Sequence, residues 1–242
     1  MTNFQTKLLT VANQNEATKN LISEENAALL EKLTFHMLDV NKSLNLTAIK
    51  DEDGVILKHL VDSSACVPYI PKNASLCDIG CGGGFPTLVI GVLRGDVSIL
   101  GVDSVTKKVN YVSDTASLLG LNNVSVSNSR AEEMGQEKKL RESFDVVTAR
   151  AVGRLNLICE LCLPLLKVGG CFLAMKSLST KEELDEAEKA ILLLGGKVEE
   201  VKEYSLTDGQ ENLERTIVVI RKVKNTPLQY PRNNSQIAKK PL

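Results

Sequence analysis

Residues 76–86, Leu76-Cys77-Asp78-Ile79-Gly80-Cys81-Gly82-Gly83-Gly84-Phe85-Pro86, decide how this chain folds. An apolar run closes on an acid, Asp78, then bends through glycines at alternate positions into the start of a helix. Without Cβ atoms such a bend lets a ligand lie directly against the main chain, and glycine takes positive φ without strain. The helix that follows adds unpaired N–H groups. The stretch predicts a pocket for a nucleotide-like ligand at the carboxyl end of a strand.

Spacing narrows the ligand. A dinucleotide loop needs G-x-G-x-x-G; counted from Gly80, Gly82 fits, but the third position is Phe85. The pattern present is D-x-G-x-G-x-G, running from Asp78 through Gly80 and Gly82 to Gly84. The next strand, Ser98-Ile99-Leu100-Gly101-Val102, delivers Asp103 about 20 residues beyond the bend, where a carboxylate can accept both ribose hydroxyls. Loop and acids together resemble the cofactor loop of S-adenosylmethionine-dependent methyltransferases. A glycine triplet alone would read better as an incidental turn; two acids at successive strand ends argue against that.

At 242 residues the chain can bury one large core, and 43 % hydrophobic with 24 % charged residues is ordinary for a globular protein. The net charge of −1 provides no global field to attract nucleic acid, so any such binding must use local patches. No apolar run approaches the ~20 residues needed to span a bilayer. Met1 to Asn20 is polar and lacks a signal-peptide core, so a cytoplasmic protein is expected, with no membrane partner. The six cysteines are then reduced thiols that pack as small apolar groups. Cys159-x-x-Cys162 has no second ligand pair at zinc spacing, and the only histidines are His36 and His59, so no metal is expected.

Residues 1–72 read as a helical extension. Ser23 opens a run whose stripe is Leu29, Leu30, Leu33, Phe35, Met37, Leu38 and Val40, and a second helix is expected from Asp51 to Cys66. Over 73–224 strands and helices alternate, which predicts an α/β, Rossmann-like domain: a seven-stranded, mostly parallel sheet with helices on both faces. Strand candidates are Ser75–Ile79, Val97–Val102, Val124–Ser127, Phe144–Ala149, Gly170–Lys176, Lys197–Tyr204 and Arg215–Arg221. Helices are expected around Val105–Leu119, Leu155–Leu166 and Leu184–Leu194, with Gly120, Gly169 and Gly195 as C-caps. The last two strands suit an antiparallel hairpin at one edge. Residues 225–242 form a basic tail, and from Arg215 to the end there is no acid.

Missing residues constrain the methyl acceptor. An exocyclic amine calls for a Pro-Pro-aromatic motif after the fourth strand, where this chain has Val147-Thr148-Ala149-Arg150-Ala151-Val152. Carbon-5 of a pyrimidine needs a cysteine nucleophile, but Cys159 and Cys162 fall within a helix. A ribose hydroxyl needs a base assisted by lysines at separate strand ends, and only Lys176 is so placed. A ring nitrogen such as guanine N7 already presents its lone pair.

Ordered segments then bear a family resemblance: Asn45-Leu46-Thr47-Ala48-Ile49, His59-Leu60-Val61-Asp62-Ser63, the loop ending Gly84-Phe85-Pro86, Val102-Asp103-Ser104 with Lys107-Lys108-Val109, and Arg130-Ala131-Glu132. Phe144 to Val152, Leu163-Pro164-Leu165-Leu166-Lys167 and Tyr230-Pro231-Arg232 follow. From about residue 35 onward the chain is similar to the RsmG family, also called glucose-inhibited division protein B, which methylates guanine N7 in bacterial 16S ribosomal RNA. It departs from the usual family pattern at Val40 (often tryptophan), at Thr87 (commonly glycine) and in lacking a glycine after Tyr-Pro-Arg.

The resemblance implies S-adenosyl-L-methionine as cofactor and 16S rRNA of the small ribosomal subunit as partner; nothing in the sequence suggests more than a monomer. It implies that Gly80, Cys81, Gly82, Gly84 and Phe85 line the methionine and ribose side, with Asp78 near the ammonium group and Asp103 and Ser104 near the ribose. Ala131 and Glu132 would meet the adenine. Arg150, at the mouth of the fourth strand, would hold the cofactor carboxylate or an RNA phosphate, and Lys176 would face the same mouth; these two are the candidate catalytic residues. Asn45, His59, Arg154, Arg232 and Lys239 are the candidate RNA contacts. A methyltransferase of a small molecule or protein, and a non-catalytic ribosome-binding factor, remain open on sequence alone.

Overall fold

The computed structural model describes residues 1–177 and 180–242, the side chain of Thr180 excepted. Its sheet has the strand order β3-β2-β1-β4-β5-β7-β6. The strands are β1 (Ser75–Ile79), β2 (Ser98–Val102), β3 (Val124–Ser127), β4 (Phe144–Arg150), β5 (Leu166–Lys176), β6 (Gly196–Thr207) and β7 (Asn212–Lys222). The first five run parallel, whereas β7 is antiparallel to both β5 and β6. The chain winds outward from β1 to β3 and then returns to lay β4 beside β1. That reversal opens a crevice outside the carboxyl ends of β1 and β4.

Helices cover both faces, as the near-continuous apolar strands require. On one side lie α7 (Ala131–Met134), α8 (Leu155–Cys162), α9 (Thr180–Leu193) and α10 (Asn234–Lys239). Leu155, Ile158, Ile191 and Ile237 pack there against Val147, Phe172 and Val218. On the other lie α5 (Thr87–Leu93) and α6 (Thr106–Leu119), overlaid by α1 (Asn3–Gln14) and α2 (Glu24–Leu44). Leu8, Leu30, Leu33 and Met37 of the N-terminal helices are wholly buried and join Leu88 and Val112 in one cluster. Ser23 starts α2, its Oγ accepting from Asn26 N–H at 3.1 Å.

Four local expectations are corrected. The helix over 51–66 is not uniform: α3 (Glu52–Val55) passes through a π-helical turn (Ile56–Val61) into α4 (Asp62–Ser64). Such wide turns recur at functional sites, and this one carries Lys58 and His59. The helix expected to reach Leu166 stops at Cys162, because Pro164 has no N–H to continue it; a 3-10 turn, Leu163–Leu165, leads into β5. Gly169 therefore lies inside β5 instead of capping a helix. The hairpin is longer than expected, because Asp208 Oδ1 accepts from both Gln210 N and Glu211 N and tightens the turn.

All six cysteines are buried and unpaired. Among the described residues no group of His, Cys, Asp and Glu could hold a metal, and no helix is long and apolar enough to cross a membrane.

Candidate active site

A cavity of about 650 Å³ opens over the carboxyl ends of β1, β2 and β4. Gly80, Cys81, Gly82, Gly83 and Phe85 form its floor, and Asp103, Ser104, Ala131, Glu132 and Arg150 stand around it. Gly82 sits at φ +52° and donates its N–H to Asp103 Oδ2 at 3.0 Å, while Oδ1 takes Val105 N–H at 2.8 Å. The second acid is thereby fixed between the glycine bend and the start of α6. A Cβ built on Gly82 would meet only Gly80 O, at 3.6 Å, so bare backbone faces the cavity. The volume, the carboxylates Asp103 and Glu132 and the apolar Phe85, Val102 and Leu161 fit S-adenosylmethionine.

Asp78 is not part of that wall, and its expected place beside the cofactor ammonium is corrected. It is fully buried behind the bend, Oδ2 accepting from Thr87 Oγ1 at 2.5 Å and Oδ1 from Thr148 Oγ1 at 2.7 Å. Thr87, where the family commonly has glycine, supplies one of those donors and ties β1 to α5. Gly84 also turns away from the cavity, packing against Leu88.

Burial raises the Asp78 carboxyl from 3.8 to about 6, only partly offset by the Thr87 and Thr148 hydroxyls. The native protein holds this proton more tightly than the unfolded chain. The associated stability is present below the unfolded value and is lost as pH rises through about 6. Between pH 4 and 7 the loss should be roughly 2–3 kcal/mol, and Asp78→Asn should remove that slope from urea unfolding series. A variant with the wild-type pH profile would rule this out.

Arg150 connects the cavity to a second one of about 360 Å³, which Lys58, His59, Asp62, Lys176 and Arg215 also border. Its guanidinium is committed to protein. Nη1 donates to Lys58 O and to Asp62 Oδ2, each at 2.9 Å, and Nη2 lies 3.3 Å from His59 Nδ1. The π turn presents both Lys58 O and His59. Asp62 also accepts from Arg215 Nε at 3.1 Å. Lys176 borders the second cavity alone, paired with Glu183 at 2.7 Å and donating to Gly153 O at 2.8 Å. Glu183 accepts from Leu155 N–H at 2.9 Å, so this pair clamps the loop between β4 and α8.

Two candidate RNA contacts, His59 and Arg232, stand elsewhere than expected. His59 is buried in the cofactor wall, stacked on Phe85 with centroids 4.4 Å apart and 13° between planes, and 2.8 Å from Thr47 Oγ1. Burial, and then the Arg150 charge, pulls its pKa down to about 3, so the ring is a neutral plate. Arg232 binds the buried carboxylate of Glu160 through its backbone N–H, Nε and Nη2, at 2.9, 2.8 and 2.6 Å. It anchors the tail internally and does not offer itself to phosphate. Arg154 is exposed but paired with Glu186 at 2.7 Å. Asn45 ends α2 in the left-handed region, next to the cavity residues Leu46 and Thr47, and Lys239 is exposed in the last turn of α10. Thr47, Lys108, Arg130 and Asn234 also line the cavity. The first three lie in or beside the family segments, whereas Asn234 had no local signal because only tertiary folding brings it there.

Strand order, the glycine bend and the acid at the end of β2 together define a Rossmann-like fold of the methyltransferase class, with a cavity that fits S-adenosylmethionine. A SAM-dependent methyltransferase from Aquifex aeolicus shares the fold, with a TM-score of 0.56 at 15% identity over 73% of this chain and 97% of that one. The family model for rRNA small subunit methyltransferase G (GidB) matches residues 26–214, and the chain belongs to that family. Ribosomal RNA small subunit methyltransferase G of Lactobacillus johnsonii is 45% identical over 210 residues, 85% of this chain and 87% of the relative. The protein of that name from Geobacillus kaustophilus is 41% identical over 243 residues, covering 100% of this chain and 98% of its own.

Proposed function

We propose that the protein transfers the methyl group of S-adenosylmethionine to N7 of a guanine in 16S rRNA of the small ribosomal subunit, in the cytoplasm. The bound cofactor would supply a methyl carbon already activated by the sulfonium charge. What remains for the chain is to align the acceptor and exclude water. The observation that carries the reading lies where the two cavities meet. His59 is held neutral with a strongly lowered pKa, Arg150 has only donors, and Asp62 is occupied by two guanidiniums. None of these groups is a competent base at neutral pH, which suits an acceptor whose lone pair is already free. In this reading Asp103 holds the ribose, Ala131 and Glu132 meet the adenine, and Phe85 with His59 forms the flat wall toward the acceptor.

Small subunits from a strain lacking the protein, incubated with purified protein and labelled cofactor, test the proposal. Borohydride–aniline treatment should then cleave 16S rRNA at one guanine, as it does not before incubation. Label entering protein, or rRNA left uncleaved, would contradict it.

A further inference from the structure

The last stretch of chain, residues 225–242, folds back onto the domain as a fastened strap, and one of its residues, Asn234, reaches the cofactor cavity. Arg141 donates from Nη1 to Gly135 O and Tyr230 O, each at 2.7 Å, and from Nη2 to Thr226 O at 2.7 Å. Gln136 Nε2 donates to Pro231 O at 2.7 Å. Pro231 packs so closely on Gly135 that a Cβ there would come within 2.7 Å of its ring. Arg232 then closes onto Glu160, itself 0% exposed, and Ile237 buries on the same side of the sheet. A carboxylate so deeply buried is tolerable only while its arginine stays in place, so the strap position is strongly specified.

These fastenings are to α8 and to the segment that runs from Gly135, at the end of α7, to β4. The two helices carry the cavity residues Ala131, Glu132, Leu157 and Leu161. Asn233 caps α10 by accepting from Gln236 N–H at 3.0 Å, which fixes the next residue, Asn234, where it lines the same cavity. Among the described residues the Asn234 amide has no protein partner, in contrast to Arg232. Adenine presents a donor beside an acceptor on its polar edges. The carboxylate of Glu132 can only accept, whereas a carboxamide does both.

We infer that Asn234 is a further cofactor-binding residue, its side-chain amide pairing with the adenine, and that the C-terminal strap exists to position it. The inference rests on the assignment of this cavity to S-adenosylmethionine. It gives the tail a role in cofactor recognition that its basic composition does not suggest.

Calorimetry of the full-length chain with S-adenosylhomocysteine, and with the analogue carrying hypoxanthine in place of adenine, tests this. Asn234→Ala should weaken S-adenosylhomocysteine binding about three- to tenfold, the worth of one or two hydrogen bonds, and should shrink the wild-type preference for adenine. The melting temperature of the ligand-free variant should stay that of wild type, since the Asn234 side chain has no hydrogen-bond partner among the described residues; Asn234→Ser should behave alike. Wild-type affinity in both variants would overturn the inference, as would unchanged affinity with reduced methyl transfer to small subunits, which would turn the strap toward RNA. Wild-type protein that failed to bind S-adenosylhomocysteine would instead overturn the assignment of the cavity, a separate result.

Discussion

Replacing Gly82 by valine should abolish cofactor binding while leaving the protein folded. Two effects act at this position, and they can be separated. The φ of +52° lies in the left-handed region, where a β-branched side chain is strained. An added Cβ has no protein neighbour except Gly80 O at 3.6 Å, so the valine side chain would grow into the space meant for the ligand. Forcing extra carbons into filled space costs up to about 3 kcal/mol, on the order of a hundredfold in Kd, and S-adenosylhomocysteine should bind Gly82→Val about that much more weakly. The other glycines of the bend are poorer probes. A Cβ at Gly80 would lie 2.6 Å from Val152 and one at Gly84 2.4 Å from Leu88, so those substitutions would disturb packing as well. Gly120 is the control: its φ is +70° and an added Cβ meets nothing within 4 Å. Gly120→Ala should therefore cost about 1 kcal/mol of stability by backbone strain and leave affinity unchanged. Binding by Gly82→Val within a few fold of wild type would mean that the bend does not cradle the cofactor.

The bend was legible because a short pattern dictates it. Asp78 through Gly84 is a local instruction for strand, turn and ligand approach, and the alternation after it carries the sheet with its antiparallel edge. Strand ends moved by a few residues where a side chain reshaped a turn, as Asp208 does in the hairpin. Side-chain direction was less legible. Asp78 carries the first position of the motif, yet the hydroxyls of Thr87 and Thr148, the latter on a different strand, claim its oxygens. A spacing rule cannot see such a partner. The same limit explains the tail. From Arg215 to Leu242 the charge is entirely basic, but Arg215, Arg221, Lys222 and Arg232 meet Asp62, Glu199, Glu142 and Glu160 from distant segments. Composition describes the charge of a segment and not its partners.

Asp62→Ala should be among the most damaging substitutions outside the glycine bend. The carboxylate, 8% exposed, joins Arg150 at the end of β4 to Arg215 on β7 and sits next to the π turn that carries His59. Removing it would leave two guanidiniums, 15% and 18% exposed, without their counter-charge. Breaking a buried pair by deleting one partner costs about 3–5 kcal/mol, and the residual exposure of both arginines places the expected loss near 3 kcal/mol. Arg150 would lose its fixed position as well, so methyl transfer should fall more than cofactor affinity does. Asp62→Asn keeps the shape without the charge and should lie between wild type and alanine. A double-mutant cycle separates the pair from its surroundings. If Asp62 acts by compensating Arg215, adding Arg215→Ala to Asp62→Ala should cost far less than Arg215→Ala alone, because the orphaned charge leaves with it. Strict additivity of the two urea-unfolding free energies would show that Asp62 and Arg215 are not coupled, and that the carboxylate works through Arg150 alone.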